Sequence, residues 1–319
     1  MTTPTPTLIY RLKNLRNVVV QKTYVGKSYV YVLQLVNGQT DGIIFRMPLS
    51  AAIQNGTALD LDFTNAERVY LDGFGHGQTL EFMNKYDAAG NPYFLVATKG
   101  VKTTSSETLW DTQLGRVAFI NGKHYNKNTD IARMAYLNYT RQSTYTMARV
   151  GGAIDTQQKN ILIAGLDTSG NMHFATYDLS DINRELEKVE SSKGYVDMRK
   201  MTAQKTPFTI SSFEKSLGIN SIQGFEFSNG NAIYVSSGKP TSNLTSQGSV
   251  SKLFWGHSSG TKTQLHNGYW EHWINNNPAG QVEPEGLQLG SNLLLTIAYH
   301  ANGATKEHRI YQFSKSVLD

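Results

Sequence analysis

Gln78, Gln223 and Glu285 each stand just ahead of an apolar-x-apolar stretch, in GHGQTLEF (75–82), SIQGFEF (221–227) and EPEGLQL (283–289). Amides and carboxylates gathered at one opening would suit a hydroxyl-rich ligand, because their donors and acceptors match those of sugars. His76 and His300 flank this set in sequence. A second chemistry is open to the acids Asp41, Glu81, Glu226 and Glu285. Two carboxylates at a defined separation, one protonated and one ionised, hydrolyse glycosidic bonds. Residue types alone leave that separation undetermined. Each of these groups also reads as an ordinary polar contact between strands, since buried polar atoms must be paired in any fold.

Other motifs carry less. Gly256-His257-Ser258-Ser259-Gly260 matches a hydrolase nucleophile elbow in letters. No helix follows it, so a hairpin turn is expected instead. The run 72–82 holds three glycines within five residues around His76, which lets the backbone approach another group closely. It lacks the Gly-Lys-Ser/Thr of a phosphate loop. The 8 His never form H-E-x-x-H, and Asp167 to Asn171 lacks the acids of a calcium loop, so no metal ligand is assigned. The aromatics of Tyr269 to Trp273 suit core packing or sugar stacking.

The elements that must position these residues are short strands. Ser221 to Gly238 reads as two strands joined at Asn229-Gly230-Asn231, with Phe225 and Phe227 alternating with Glu226 and with Ile233 and Val235 starting the return. The same grammar recurs at 78–98, 151–164 and 285–300, and more loosely at 21–35. Five copies divide the chain into units of about 64 residues, enough for four short strands and their loops. The expected fold is therefore all-β, a five-bladed β-propeller with four-stranded antiparallel blades, built as one domain over 1–319. Residues 1–9 are expected to form an extended N-terminal arm, and IYQFS (310–314) to close the ring beside an early strand. Ser180 to Glu190 is the one clear helix, a short insertion in the third blade capped by Ser180 or Asp181, with Ile182, Leu186 and Val189 on one stripe and Glu185, Glu187 and Glu190 in solvent. In a closed ring Gln78, Gln223 and Glu285 would converge on one mouth of the channel. The third copy, MARVGGAI (147–154), has no polar residue in that register.

Composition agrees with this reading. The 319 residues include 28 Gly, 17 Tyr and 13 Phe but only 8 Pro, the balance of a hairpin-rich β protein. There are 0 Cys, which excludes disulfides, zinc-thiolate sites and a cysteine nucleophile. No run approaches the roughly 18 apolar residues of a membrane span, and the amino terminus has no visible Sec signal. The net charge is +5, and Arg11, Lys13, Arg16, Lys22 and Lys27 all precede the first acid, Asp41. A basic first blade would attract anionic surfaces, although an ordinary solvated face explains it as well. No cofactor and no nucleic-acid partner is expected.

VVVQKTYVGKSYVYVLQL (18–35), GHGQTLEF (75–82), TDIARMAYLN (129–138), SIQGFEFSNGNAIYVSSGKP (221–240) and EPEGLQLGSNLLLTIAYH (283–300) together resemble, in this order, the helveticin J family of large heat-labile (class III) bacteriocins. The resemblance spans nearly the whole chain. That family is in turn similar to the propeller of phage receptor-binding proteins and of teichoic acid biosynthesis protein C, which implies five blades. It further implies a secreted antibacterial protein that docks on a cell-envelope glycopolymer, or another anionic envelope component, of Gram-positive bacteria and kills them. It brings no agreed catalytic residues. His76, Gln78, Glu81, Gln223, Glu226, Glu285 and His300 are the expected ligand-binding residues, and a cell-wall glycoside hydrolase is the alternative reading.

Overall fold

A computed structural model describes residues 6–102, 108–126, 130–139, 144–240, 248–265, 281–300 and 306–319. Strand β1 (Thr7–Lys13) comes first and is used last. The first blade is β2 (Val20–Val25), β3 (Tyr29–Val36) and β4 (Asp41–Pro48). The hairpin β5 (Ile53–Asn55) and β6 (Ala58–Asp62) leaves for the fifth blade before β7 (Glu67–Asp72) completes the first. The second blade is β8 (Leu80–Tyr86), β9 (Pro92–Val101) and β10 (Trp110–Ala118); β11 (His124–Asn126) steps back to lie parallel to β7, and β12 (Ala132–Ala135) finishes the sheet. In the third, β13 (Met147–Ile154), β14 (Asn160–Asp167) and β15 (Met172–Asp178) precede helix α1 (Leu179–Glu190). Strand β16 (Tyr195–Asp197) then returns parallel to β12, and β17 (Phe208–Ile210) ends the blade. Helix α2 (Phe213–Leu217) leads to the fourth blade, β18 (Ile222–Phe227), β19 (Ala232–Ser237), β20 (Ser249–Phe254) and β21 (Gly260–Gln264). The fifth is β22 (Gln281–Leu289), β23 (Leu293–His300), β24 (Glu307–Phe313) and, as its outer strand, β1.

Five four-stranded antiparallel sheets in a ring are the expected architecture. The first, second and fifth sheets are longer because β11, β16 and the β5–β6 hairpin extend their outer edges. Such additions cover strand edges that would otherwise be open to another chain. Closure is by β1 against β24, with Leu12 opposite His308, so the pairing expected of 310–314 holds. Residues 7–9, read from sequence as arm, begin the closing strand; residues 1–5 lie outside the described residues, as do Tyr269 to Trp273.

Alternation explains why the second strands read as unbroken apolar runs. Tyr31 and Leu33 of β3 pack into the cluster shared with the second blade, while Val30 and Val32 pack into the cluster shared with the fifth. In β9, Leu95 and Ala97 face the third blade and Phe94 and Val96 face the first. In β19, Ile233 and Val235 face the third blade and Tyr234 faces the fifth. Both faces of each sheet are thus buried, and the core is divided into five inter-blade clusters.

Helix α1 starts earlier than its sequence pattern suggests. Its cap is Asp178, which accepts a hydrogen bond from Asp181 N at 3.0 Å. Ile182 and Leu186 are buried between the second and third blades, as the stripe implies. Glu190 is part-exposed and also structural: it pairs with the buried Arg116 at 2.8 Å and accepts from Tyr93 Oη at 2.7 Å. Gly256 to Gly260 is the turn between β20 and β21, and Asp167 to Asn171 the turn between β14 and β15, both as expected.

Candidate functional site

The innermost strands β2, β8, β13, β18 and β22 line the axis. Three of them carry bulges where the polar residues sit. Gln21 falls in the register break of β2, Gln223 in that of β18, and Glu285-Gly286 in that of β22. A bulge frees a residue from the ladder and re-aims its side chain, here toward the axis.

At one end of the axis these side chains form a hydrogen-bonded chain. Gln78 Nε2 donates to Gln223 Oε1 at 2.5 Å and, more weakly, to Gln21 Oε1 at 3.4 Å. Gln223 Nε2 donates to Glu283 Oε1 at 3.1 Å and to Gly238 O at 2.7 Å. His300 Nε2 lies 3.0 Å from Glu283 Oε2. They line an open cavity of about 580 Å³ together with His76, Trp110, Lys239 and Lys306. His76 Nδ1 is 2.6 Å from Gln39 Oε1, and its ring lies 4.4 Å from that of Trp110. Burial, reinforced by Arg149, lowers the His76 pKa to about 4, so its ring is neutral at physiological pH.

The structure therefore brings His76, Gln78, Gln223 and His300 to one mouth and sorts the three acids elsewhere. Glu285 is a correction: it lies in register with Gln223, but its two-residue bulge turns it inward, where it is 1% exposed. Glu283 stands at the mouth instead. Burial, and then the charge of Glu283, push the Glu285 pKa well above the ordinary carboxylate value.

Glu81 and Glu226 lie in the interior at the axis, not at the mouth. Both reach the ammonium of Lys22, at 2.8 Å and 2.6 Å, and Lys22 also donates to Leu287 O at 2.5 Å. Lys22, one of the five cations that precede Asp41, is not on the surface: its side chain is only 1% exposed. Burial pulls its pKa down, but Glu226 and Glu81 outweigh that and hold it above the usual lysine value. Burial and the neighbouring Glu226 push Glu81 well above the usual carboxylate range, despite Lys22. Lys22, Glu81 and Glu226 thus form a buried plug below the mouth, with both acidic side chains committed to one ammonium. Asp41 belongs to neither group; it accepts from Gly73 N at 2.7 Å and Asn37 Nδ2 at 2.5 Å. No two of the four acids proposed for glycoside hydrolysis stand exposed across an open space.

The basic first blade is likewise divided. Arg11 lies on β1 in the fifth blade and pairs with Asp60 at 3.1 Å, and Lys22 is inside. Cations reach the mouth from elsewhere: Lys239, Lys306 and, behind the Trp110 ring at 4.6 Å, Arg149. Burial lowers the Arg149 pKa to about 10. Arg149 is the third blade's polar contribution, which the register of MARVGGAI hid. Gly151 could not carry one, because a Cβ there would stand 2.8 Å from the Phe225 ring. The glycines around His76 do serve a close approach, with a Cβ on Gly75 falling 2.5 Å from Gly100 Cα. Gln21 was legible from its place ahead of the first copy; Glu283 was not, since only the bulge brings it forward. Among the described residues no group of three or more His, Asp or Glu is placed to hold a metal ion, and no helix is long and apolar enough to cross a membrane.

Residues 2–316 match the family described as bacteriocin helveticin-J. The chain belongs to that family. The bacteriocin helveticin-J of Lactobacillus helveticus is 32% identical over 236 residues, which is 69% of this chain and 66% of the relative. The chain thus spans just under two thirds of the length of the curated helveticin-J relative it matches. Among solved structures, a tail fibre of Staphylococcus aureus phage P68 superposes with a TM-score of 0.59 at 12% identity, over 97% of this helveticin-J family chain and 52% of the fibre. An α-L-arabinofuranosidase of Podospora anserina gives a TM-score of 0.43 at 8% identity over 98% of each chain. The fibre shares the fold; the arabinofuranosidase is too distant to bear on the site.

Proposed function

We propose that this helveticin-J family protein is a secreted bacteriocin that binds an anionic glycopolymer of the Gram-positive cell envelope at its channel mouth and kills the cell that carries it. The observation that carries this reading is the chain of Gln21, Gln78, Gln223, Glu283 and His300 around an open cavity with Lys239 and Lys306 on its rim. Amides offer paired donors and acceptors to sugar hydroxyls, and the lysines offer charge to phosphate or carboxylate groups of the polymer. The fold shared with a tail fibre of a staphylococcal phage is in keeping with recognition at a bacterial surface.

The test is binding and killing measured on isogenic Gram-positive cells with and without wall teichoic acid. Binding that needs the polymer and is lost in Gln78→Ala/Gln223→Ala supports the proposal. Equal binding to both cells, or an unimpaired double variant, removes the mouth as the receptor site. Sugars released from purified wall, and no longer released by Glu226→Gln, would point to hydrolysis instead.

A further inference from the structure

Arg149 carries a charge that the fold leaves without a partner. It stands on β13, part-buried, and makes no ion pair or side-chain hydrogen bond among the described residues. What it touches is the Trp110 ring, whose centroid lies 4.6 Å from the guanidinium carbon. Glu214 on α2 is the acid whose field reaches it, without pairing with it. Burial outweighs that field and draws the Arg149 pKa down to about 10, so the group is charged at neutral pH. Interior charges are ordinarily paired, and one that is not invites an anion.

A recess of about 20 Å³ between the second, third and fourth blades is lined by Arg149 with His76, Gln78 and Trp110, and the last three also line the mouth. That is room for one oxygen atom the size of a water. A guanidinium stacked on an indole has one face covered, while its N–H donors lie in its plane and stay free for an oxyanion. The neighbouring His76 supplies the complementary group. Its Nδ1 faces the Gln39 Oε1 acceptor, so that nitrogen bears the proton of the neutral ring. Nε2 is then a bare acceptor, with no partner among the described residues. Cation and acceptor pack on one indole, since the His76 ring lies 4.4 Å from that of Trp110.

We infer that Arg149, Trp110 and His76 form an oxyanion subsite of the mouth, which takes a polymer unit carrying a phosphate or carboxylate beside a hydroxyl. One anionic oxygen enters the recess and accepts from Arg149, and the hydroxyl donates to His76 Nε2. The inference rests on the mouth being the polymer site and adds which residue reads the charge. Lys239 and Lys306 stand on the open rim, where salt screens them, so they attract any anion. Arg149 lies in less polar surroundings and offers a planar fork that lysine lacks, so it separates acidic units from neutral sugars.

The full chain would be titrated with glucose 1-phosphate, glucuronate and glucose at millimolar concentrations, with the Trp110 indole signal followed by NMR. A saturable shift is expected with at least one of the two acids, and which one saturates tells phosphate from carboxylate; glucose should not saturate over the same range. Arg149→Met should bind that acid about tenfold more weakly while melting at or above the wild-type temperature, since it removes an unpaired interior charge and keeps the packing on Trp110. Arg149→Lys should also bind more weakly, because it keeps the charge and loses the fork. A purely structural role for Arg149 predicts the reverse, lower melting with unchanged binding. Failure of both acids to saturate, glucose binding as tightly as either, or wild-type affinity in Arg149→Met overturns the subsite. Purified wall separates this inference from the reading it rests on: wild-type binding by Arg149→Met with loss in Gln78→Ala/Gln223→Ala overturns the subsite alone, whereas wild-type binding by both variants overturns the mouth as well.

Discussion

Lys22 and Glu226 meet at 2.6 Å on the axis of the ring, 204 positions apart in sequence. With Glu81 and Leu287 O on the same ammonium, four of the five inner strands are tied together by one side chain. Removing one partner of such a group leaves the others buried without compensation, which typically costs about 3–5 kcal/mol. Lys22→Met should therefore lower stability by that order, measured by denaturant unfolding. Lys22→Met/Glu81→Gln/Glu226→Gln should recover most of it. A single variant as stable as wild type would show that the plug is not a structural tie.

Glu285 should make stability fall as pH rises. Its folded pKa stands well above the ordinary value of 4.5, so between the two values the native state holds a proton that the unfolded chain has released. Protonated Glu285 costs nothing below that window; ionised Glu285 is penalised above it. Glu285→Gln is therefore expected to be more stable than wild type at neutral pH, with the gain vanishing as pH falls below about 4.5. Melting temperatures of both proteins across pH check this.

His76 acts in the opposite sense. Its folded pKa of about 4 lies below the ordinary 6.5, so its contribution is present above 6.5 and is lost as pH falls toward 4. The acid-side loss of stability in that window should be smaller in His76→Gln. Polymer binding between pH 5 and 7 should show no His76 titration, since the ring stays neutral there.

Gly286 leaves the space that Lys22 occupies. A Cβ there would lie 2.5 Å from Lys22 Cδ and 2.8 Å from Gln21 O. Gly286→Ala should cost about 1–3 kcal/mol through overpacking and disturb the mouth through Gln21. Gly290→Ala, whose nearest neighbour would be 3.7 Å away, should stay within about 0.5 kcal/mol of wild type.

If the mouth holds an anionic polymer, Lys239 and Lys306 steer it there. Lys239→Gln/Lys306→Gln should weaken binding at low salt and flatten its salt dependence, because exposed charges are screened beyond about 8 Å at physiological ionic strength. Binding isotherms at several salt concentrations decide it. An unchanged slope would take the rim lysines out of recognition.

Much of the fold was legible because strand alternation and turn residues are local. Phe225 and Phe227, Asn229 to Asn231 and the run from Ile233 mark one hairpin wherever it sits, and five such marks at even spacing leave a ring as the natural assembly. The mouth was partly legible for the same reason, since Gln21, Gln78 and Gln223 keep one register ahead of their strands. In β22 that logic stops. Glu285 keeps its place in the letters but loses it in space, because β22 sets two residues, Glu285 and Gly286, opposite Thr296 alone, and Glu283 stands at the mouth instead.

Spacing and hydrophobic period by themselves determined that this chain builds five similar sheets and that polar side chains face the axis. Which acid reaches solvent, which lysine is buried and which blade lends an arginine were decided only by the closed ring. These are questions of register, burial and charge pairing between strands far apart in sequence, and a linear pattern carries no distance across the axis.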